Sequence, residues 1–144
     1  PGTGDVALSL SQLLPLTGAV VVCTPQEVAL LDALKAISMF QKVKIPLLGM
    51  IENMSGFVSP ESGKQFDIFG SGGTQKAAEE LQVPFLGKVP IEIDLRTLGD
   101  RGQMAKLYEN EPLSRPFTKV CYQLSKQLAL SAVASPQKPQ LPVL

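Results

Sequence analysis

The distribution of apolar and polar positions along the chain predicts three apolar strands, each followed by an amphipathic helix. The strands are predicted over residues 18–24, 46–54 and 85–89, and the first of them is a continuous β-branched run. Runs of this length without strict alternation are typical of strands that are buried on both faces of a parallel sheet. The order strand, helix, strand, helix, strand, helix is that of βαβ units. The pattern therefore predicts an α/β fold that is part of a doubly wound, mostly parallel sheet with flanking helices.

Helix boundaries are indicated by capping residues and by apolar positions at helical spacing. The sequence Thr24-Pro25-Gln26-Glu27 has the form of a capping box with proline at the first helical position, which predicts a helix from here to about residue 42. A second helix is predicted over 74–81, and a last helix from Ser114 carries one apolar stripe. The other predicted segments are a short helix over 5–14, a loop over 55–70 and a mixed connection over 91–110.

The composition indicates a globular domain without an electrostatic surface for nucleic acid or membranes. At 144 residues the chain has the length of one typical domain, and 44% of its residues are hydrophobic. Thirteen basic residues balance thirteen acidic residues, and no apolar run approaches the roughly 20 residues needed to cross a bilayer. We therefore expect neither nucleic acid nor a membrane among the partners.

The cysteine and histidine content restricts both the chemistry and the compartment. Histidine is absent, which excludes histidine-based acid–base catalysis and histidine metal ligands. Cys23 and Cys121 are far apart in apolar patterns, so we interpret them as two buried thiols rather than as a disulfide. Residues 1–20 lack the basic start of a signal peptide. These features predict a cytoplasmic protein.

The segments that follow the predicted strands are the candidate ligand site. A doubly wound sheet binds its ligand at the carboxyl ends of its strands. In this chain those ends are Thr24-Pro25-Gln26, Asn53-Met54-Ser55 and Val89-Pro90. The topology alone therefore places a candidate site at these three segments.

Several motifs in this order resemble one known family over roughly residues 1–110. The motifs are Pro1-Gly2-Thr3-Gly4-Asp5, Thr24-Pro25-Gln26, Glu52-Asn53-Met54-Ser55, Asp67-Ile68-Phe69-Gly70 with Gly72-Gly73, and Gly87-Lys88-Val89-Pro90 with Asp94 and Arg96. Together they resemble the C-terminal half of Mrp/ApbC-type ATPases. These proteins belong to the MinD/ParA-like branch of P-loop nucleotide hydrolases and carry iron–sulfur clusters to apo-proteins.

The resemblance implies a set of nucleotide contacts. The backbone N–H of Gly2 would face the γ-phosphate of ATP, where a side chain would block the approach. Asn53 would bind the adenine edge, since an amide offers both a donor and an acceptor. Val89 and Pro90 would flank the base on its other side, and Asp94 belongs to the same cofactor-binding set.

Ser59 and Ser62 stand where the resemblance implies a Cys-x-x-Cys pair. In the family, such a pair from each subunit of a homodimer is expected to hold a bridging 4Fe-4S cluster, with apo iron–sulfur proteins as clients. A serine hydroxyl is hard and hardly ionised at neutral pH, so it replaces a thiolate poorly. We therefore assign no metal ligand in this chain and expect the cluster not to bind in the usual way.

The family's phosphate-binding loop and its magnesium-binding acidic residues have no counterpart in these residues. Gly70-Ser71-Gly72-Gly73-Thr74 is rich in glycine but lacks the Gly-Lys-Ser/Thr ending of a phosphate loop. We therefore assign no catalytic residue and expect no ATP hydrolysis by this chain alone. The resemblance implies a separate or missing N-terminal half, with residues 1–133 as the C-terminal part of the domain. The last residues, 134–144, contain three prolines and are expected to be a disordered tail.

Two other functions compete with the cluster carrier. A regulatory or positioning ATPase of the MinD/ParA kind would share the fold without a cluster, which the two serines fit. The Asp67-Ile68-Phe69-Gly70 motif with its following glycines argues for the carrier. A non-catalytic interaction module is the third alternative, and a monomeric chain without nucleotide affinity would favour it.

Overall fold

A computed structural model gives the fold over residues 13–134, together with Ser9. Four strands form one sheet, and helices flank it. The strands are β1 (Ala19–Cys23), β2 (Leu47–Val58), β3 (Gln65–Phe66) and β4 (Phe85–Ile91). The helices are α1 (Glu27–Lys42), α2 (Gly73–Glu80), α3 (Ile93–Asp100), a 3-10 helix (Met104–Glu109) and α4 (Glu111–Ala134). The helix expected over 5–14 and the tail expected over 134–144 lie outside, or almost outside, these residues.

β2 is the central strand of the sheet. It pairs in parallel with β1 on one side and with β4 on the other, and its far end pairs antiparallel with β3. The register sets Cys23 opposite Glu52 and Asn53 opposite Val89. The three predicted strands are therefore confirmed as a parallel unit, and the whole is an α/β fold with a mixed sheet.

Two apolar clusters fill the two faces of this sheet. One cluster lies under α1 and α2 and is centred on Ile37 and Met50, which are almost fully buried. The other lies under α4, where Leu86 and Val89 pack against Val120. Because β1, β2 and β4 are parallel, their carboxyl ends lie at a common edge of the sheet.

The prediction of a loop over residues 55–70 is wrong at the start of that range. β2 continues to Val58 and forms a short hairpin with β3. The strand survives because residues 54–56 are accommodated as an irregularity between the pairs Asn53–Val89 and Phe57–Ile91. Met54 takes a left-handed φ of 57° and Gly56 a φ of 109° at this point. A bulge of this kind bends a strand without ending it, and a hydropathy pattern does not reveal it.

The predicted capping box at the start of α1 is also wrong. Gln26 is the N-cap residue, and the start of the helix has no side-chain capping hydrogen bond. Pro25 is buried before the helix, and the hydroxyl of Thr24 donates to Oε1 of Gln26 at 3.4 Å. The helix itself extends from Glu27 to Lys42, close to the predicted range.

Two burial predictions need correction. Cys121 is exposed, because the inward stripe of α4 contains Val120 and Leu124, and the next position turns away from the sheet. Val22 in β1 is 57% exposed, so this strand is not buried on both faces. Cys23 is buried and both cysteines are free, as predicted. None of the helices described combines the length and apolar character needed to cross a membrane.

Candidate functional site

The strand-end edge of the sheet brings together part of the predicted site. Asn53 lies on β2 directly opposite Val89 of β4, and Pro90 follows Val89. Oδ1 of Asn53 accepts a hydrogen bond from the backbone N–H of Met54 at 3.0 Å, which orients the carboxamide at the last regular pair before the bulge of β2. Asn53 and Pro90 are both half-buried. The edge therefore presents an oriented amide next to a proline-stiffened strand.

The remaining predicted contacts are placed differently. The side chain of Val89 is buried against α4, so only its backbone is free to face a ligand. Asp94 is exposed in the first turn of α3, after β4 has ended. Gly2 lies outside the residues that the structure describes. The structure therefore joins Asn53 to Val89 and Pro90, and it gives Asp94 no hydrogen bond to them among the described residues.

Ser59 and Ser62 close the turn of the hairpin. Oγ of Ser59 accepts a hydrogen bond from the backbone N–H of Ser62 at 3.3 Å, and Oγ of Ser62 accepts one from that of Lys64 at 3.4 Å. The backbone of Ser59 also bonds to that of Lys64 and of Gly63, at 3.0 and 2.8 Å. Gly63 has a φ of 66°, which glycine adopts at no steric cost. Both hydroxyl oxygens thus act as acceptors within a tight turn.

The hairpin does not have the donor set that an iron–sulfur cluster requires. Such clusters are held by soft thiolate ligands. The two cysteines are elsewhere, Cys23 in the core on β1 and Cys121 on the outside of α4. Over the residues that the structure describes, no group of three or more acidic, cysteine or histidine side chains is arranged to hold a metal ion. The serines therefore serve the turn and do not fit a cluster.

A buried carboxylate, which sequence reasoning did not identify, lies directly before Asn53. The side chain of Glu52 has no exposed surface. Its Oε1 accepts a hydrogen bond from the N–H of Gly72 at 3.2 Å, and its Oε2 accepts one from the N–H of Thr74 at 3.0 Å. Nζ of Lys88 lies 3.6 Å from Oε1. A charged residue inside an apolar strand run was the available signal, because a buried charge is retained only with partners.

Cys23 and Thr74 extend this buried polar group. Sγ of Cys23 lies 3.3 Å from Oγ1 of Thr74, and both side chains are buried. Burial raises the pKa of the Cys23 thiol, the hydrogen bond to Thr74 opposes that rise, and the negative charge of Glu52 adds to it. The thiol is therefore held protonated, a state in which it is neither a nucleophile nor a metal ligand.

A close backbone approach fixes the start of α2 against the end of β1. A Cβ atom at Gly73 would lie 2.4 Å from the carbonyl oxygen of Pro25, so only glycine fits there. The glycine-rich segment before α2 is thus explained by packing at the strand-end edge. No ligand is needed to account for it.

Comparisons with known proteins show the family of this chain. A ParA family model, described as NUBPL iron-transfer P-loop NTPase, matches residues 1–125. An iron–sulfur cluster carrier protein of Deinococcus radiodurans is 46% identical over 145 residues, which cover 100% of this chain and 41% of the relative. The carrier of Pyrococcus furiosus is 45% identical over 89% of this chain and 43% of its own length. The chain thus spans less than half the length of these relatives.

A solved structure gives the same picture. It is a nucleotide-binding protein from Archaeoglobus fulgidus in complex with ADP, 39% identical, with a TM-score of 0.63 over 72% of this chain and 42% of the other. The fold, the strand-end site and the family match all point to one class of protein. This chain belongs to the ParA family of NUBPL-type iron-transfer P-loop NTPases.

Proposed function

We propose that this chain is the adenine-side and hairpin portion of an ATP-binding iron–sulfur cluster carrier. The observation that carries the proposal is the position of Asn53, an oriented amide opposite Val89 at the carboxyl-end edge of the parallel strands. That edge is where doubly wound sheets bind nucleotides. The carriers and the ADP-bound nucleotide-binding protein to which the chain is similar support the proposal.

In this proposal the base contacts come from Asn53 and from the backbone at Val89 and Pro90. Gly2 and Asp94 would contribute to the phosphate and outer parts of the site. These 144 residues contain no Gly-x-x-x-x-Gly-Lys-Ser/Thr segment, so groups outside them would hold the phosphates and magnesium. Hydrolysis of ATP would therefore belong to a larger assembly of which residues 1–133 form one part.

The hairpin would provide the contact between two copies in a homodimer. Four apolar side chains on it and around it are exposed, and such a cluster is typical of an interaction surface. The cluster cargo, the apo iron–sulfur clients and a cytoplasmic location follow from the same proposal. The four exposed side chains are Met54, Val58, Phe66 and Ile68.

A regulatory nucleotide-binding protein of the same fold is the second candidate. The observation that favours it is that serines stand at the implied cluster-ligand positions and that both hydroxyls accept hydrogen bonds in the hairpin turn. The chain therefore lacks the family's cluster ligands. The two candidates share the nucleotide site and differ in whether the assembled protein carries a cluster.

Adenosine binding to the isotope-labelled chain tests the nucleotide part of the proposal. Adenosine isolates the base contact, since the phosphate-binding groups are not in these residues. We expect weak, millimolar binding that shifts the NMR signals of Asn53, Val89 and Ile91, with no matching shift from guanosine. The variant Asn53→Asp keeps the acceptor oxygen that receives the Met54 N–H and removes the amide donor, so it should abolish the response.

Three outcomes would contradict the proposal. If adenosine produced no shift at this edge, the edge would not be a base site. If N53D responded like the parent chain, the side-chain amide would not be the contact. Tight, micromolar binding of ATP measured by calorimetry would show that the phosphate site is present in this chain after all.

A further inference from the structure

Glu52 is bonded to donors that belong to a distant part of the sequence. Two of them are the backbone N–H groups of Gly72 and Thr74, 20 and 22 residues further along the chain. The ammonium group of Lys88 on the neighbouring strand forms an ion pair with the carboxylate at 3.6 Å, a distance longer than a hydrogen bond. Hydrogen bonds to a buried charged group are stronger than those between neutral groups. This carboxylate is therefore a strong connection between β2 and the start of α2.

The connection joins the two ends of one excursion of the chain. Residues 54–72, here called the hairpin segment, follow the last regular parallel pair of β2, Asn53–Val89, and begin two residues after Glu52. They contain the rest of β2, the turn at Ser59 and Ser62, and β3. They return at Gly72, whose N–H donates to Glu52. One end of the hairpin segment is thus two residues along the backbone from Glu52, and the other end is hydrogen-bonded to its side chain.

The return point depends on this carboxylate because it has no cap of its own. Gly72 is the N-cap residue of α2, with a left-handed φ of 78° and no side chain to accept a hydrogen bond. The first N–H groups of a helix otherwise lack partners, and a negative charge at this end is favourable. Glu52, on β2, supplies both the hydrogen-bond acceptor and the negative charge. The geometry of the first turn of α2 is therefore set by the central strand.

We infer that Glu52 is a positioning residue that holds the hairpin segment in a fixed relation to the strand-end edge at Asn53. The inference rests on the proposed function only in taking that edge as the adenine site. A displacement of β2 at Asn53 reaches the Ser59–Ser62 turn through both ends of the hairpin segment at once. Glu52 is thereby the link between the candidate base contact and the surface that the hairpin presents.

Hydrogen exchange of the ligand-free chain, followed by NMR, tests the inference. Glu52→Gln keeps the size of the side chain but turns an NH2 group towards backbone donors, so the Gly72 and Thr74 amides cannot both keep a partner. We expect exchange at these amides, and at Ser59 and Gly63 in the turn, to rise roughly 10- to 100-fold. The amide of Val120 in α4 should change by less than about threefold.

A matched control and a second variant keep the test decisive. Glu79→Gln makes the same substitution on the exposed side of α2, and it should leave the turn amides unchanged. If E52Q does not fold, Lys88→Gln weakens the same carboxylate from its other partner and should give the same residue pattern with smaller changes. The inference is wrong if the turn amides stay protected in E52Q, or if all amides change uniformly in the variant that folds.

The nucleotide proposal is tested separately in the same samples. Adenosine added to the parent chain reports on Asn53 without involving the Glu52 variants. If adenosine shifts no signals of the parent chain, the proposed adenine site is overturned and the exchange result still stands. If the parent chain binds adenosine and the turn stays protected in E52Q, the adenine site stands and the inference about Glu52 is overturned.

Discussion

At the scale of single residues, burial decides what each reactive group can do. Glu52 and Cys23 are opposite one another on neighbouring strands and both point into the apolar cluster under α1 and α2. Glu52 remains there because it accepts two backbone hydrogen bonds and pairs with the charge of Lys88. The thiol of Cys23 has Thr74 as its hydrogen-bond partner and is kept protonated by its surroundings. Cys121, by contrast, is exposed on α4.

This contrast predicts selective alkylation of the two thiols. At a pH near 8.5, the ordinary value for a cysteine, iodoacetamide should modify Cys121 in the folded chain and leave Cys23 unmodified. The pKa of Cys23 is raised, so its thiolate fraction stays low here and grows only as the pH rises further. Mass spectrometry of C121S, folded and in urea, measures the rate at Cys23 alone. Equal rates in the two states would contradict the assigned burial.

The raised pKa also has a consequence for stability. A group whose pKa is raised on folding contributes stability below its unfolded pKa, and that contribution is lost as the pH rises through the folded value. The free energy of unfolding should therefore fall as the pH rises above about 8.5. The variant Cys23→Ala should show a smaller fall over the same range. Identical pH profiles for both chains, measured by urea unfolding, would show that Cys23 does not contribute.

At the scale of elements, the hairpin of β2 and β3 is a turn closed by hydroxyl groups at the positions where the family resemblance implies cysteines. Ser59 and Ser62 each accept one backbone N–H, so the turn is held without a metal. The bulge at residues 54–56 interrupts the regular pairing of β2 with β4, and β2 then continues into the hairpin. The hairpin therefore exposes apolar side chains but contains no soft metal ligand.

The hairpin chemistry predicts the outcome of anaerobic reconstitution with iron and sulfide. The parent chain should give no stable visible chromophore, because hydroxyls are poor ligands for the cluster. The double variant S59C/S62C should give one only if two copies associate, since one pair of thiolates supplies half of a four-thiolate site. The single variant S59C serves as the control and should remain colourless. A strong chromophore in the parent chain would refute the serine argument.

At the scale of the whole molecule, the sheet has an edge and a face that the described residues leave uncovered. β1 pairs with β2 alone in that part of the chain, so its other edge carries unpaired backbone groups. Val22 on β1 and Leu31 on α1 are 57% and 59% exposed. The carrier of Deinococcus radiodurans is more than twice as long as the region it shares with this chain. We propose that the remaining part of such a protein covers this surface.

Self-association of the 144-residue chain is the expected result of that exposure. An open strand edge and an apolar surface both promote pairing with another copy. Sedimentation at increasing concentration should show dimers or larger species, and the variant V22K/L31K should reduce them by placing charges on the surface. Ser125→Lys, which adds charge on exposed α4, is the control. A strict monomer at high concentration would count against this view of the uncovered sheet.

The sequence by itself determined the parallel α/β unit and the family. The three predicted strands are confirmed as β1, β2 and β4, and the helices predicted after them are confirmed as α1, α2 and α4. The family that the ordered motifs indicated is confirmed by the match to the family model. Asn53 was predicted at the end of its strand, but it lies at the last regular pair before the bulge, because β2 continues to Val58. Its role in binding adenine stays a prediction.

Only the tertiary structure decided the role of Glu52 and the course of the chain after Asn53. The partners of Glu52 are 20 to 36 residues away, at Gly72, Thr74 and Lys88, so no local pattern could pair them. The bulge that carries β2 into the hairpin depends on left-handed backbone at Met54, a residue that rarely adopts it. Local order in this protein follows from side-chain periodicity, whereas satisfying a buried charge is a property of the assembled sheet and helices.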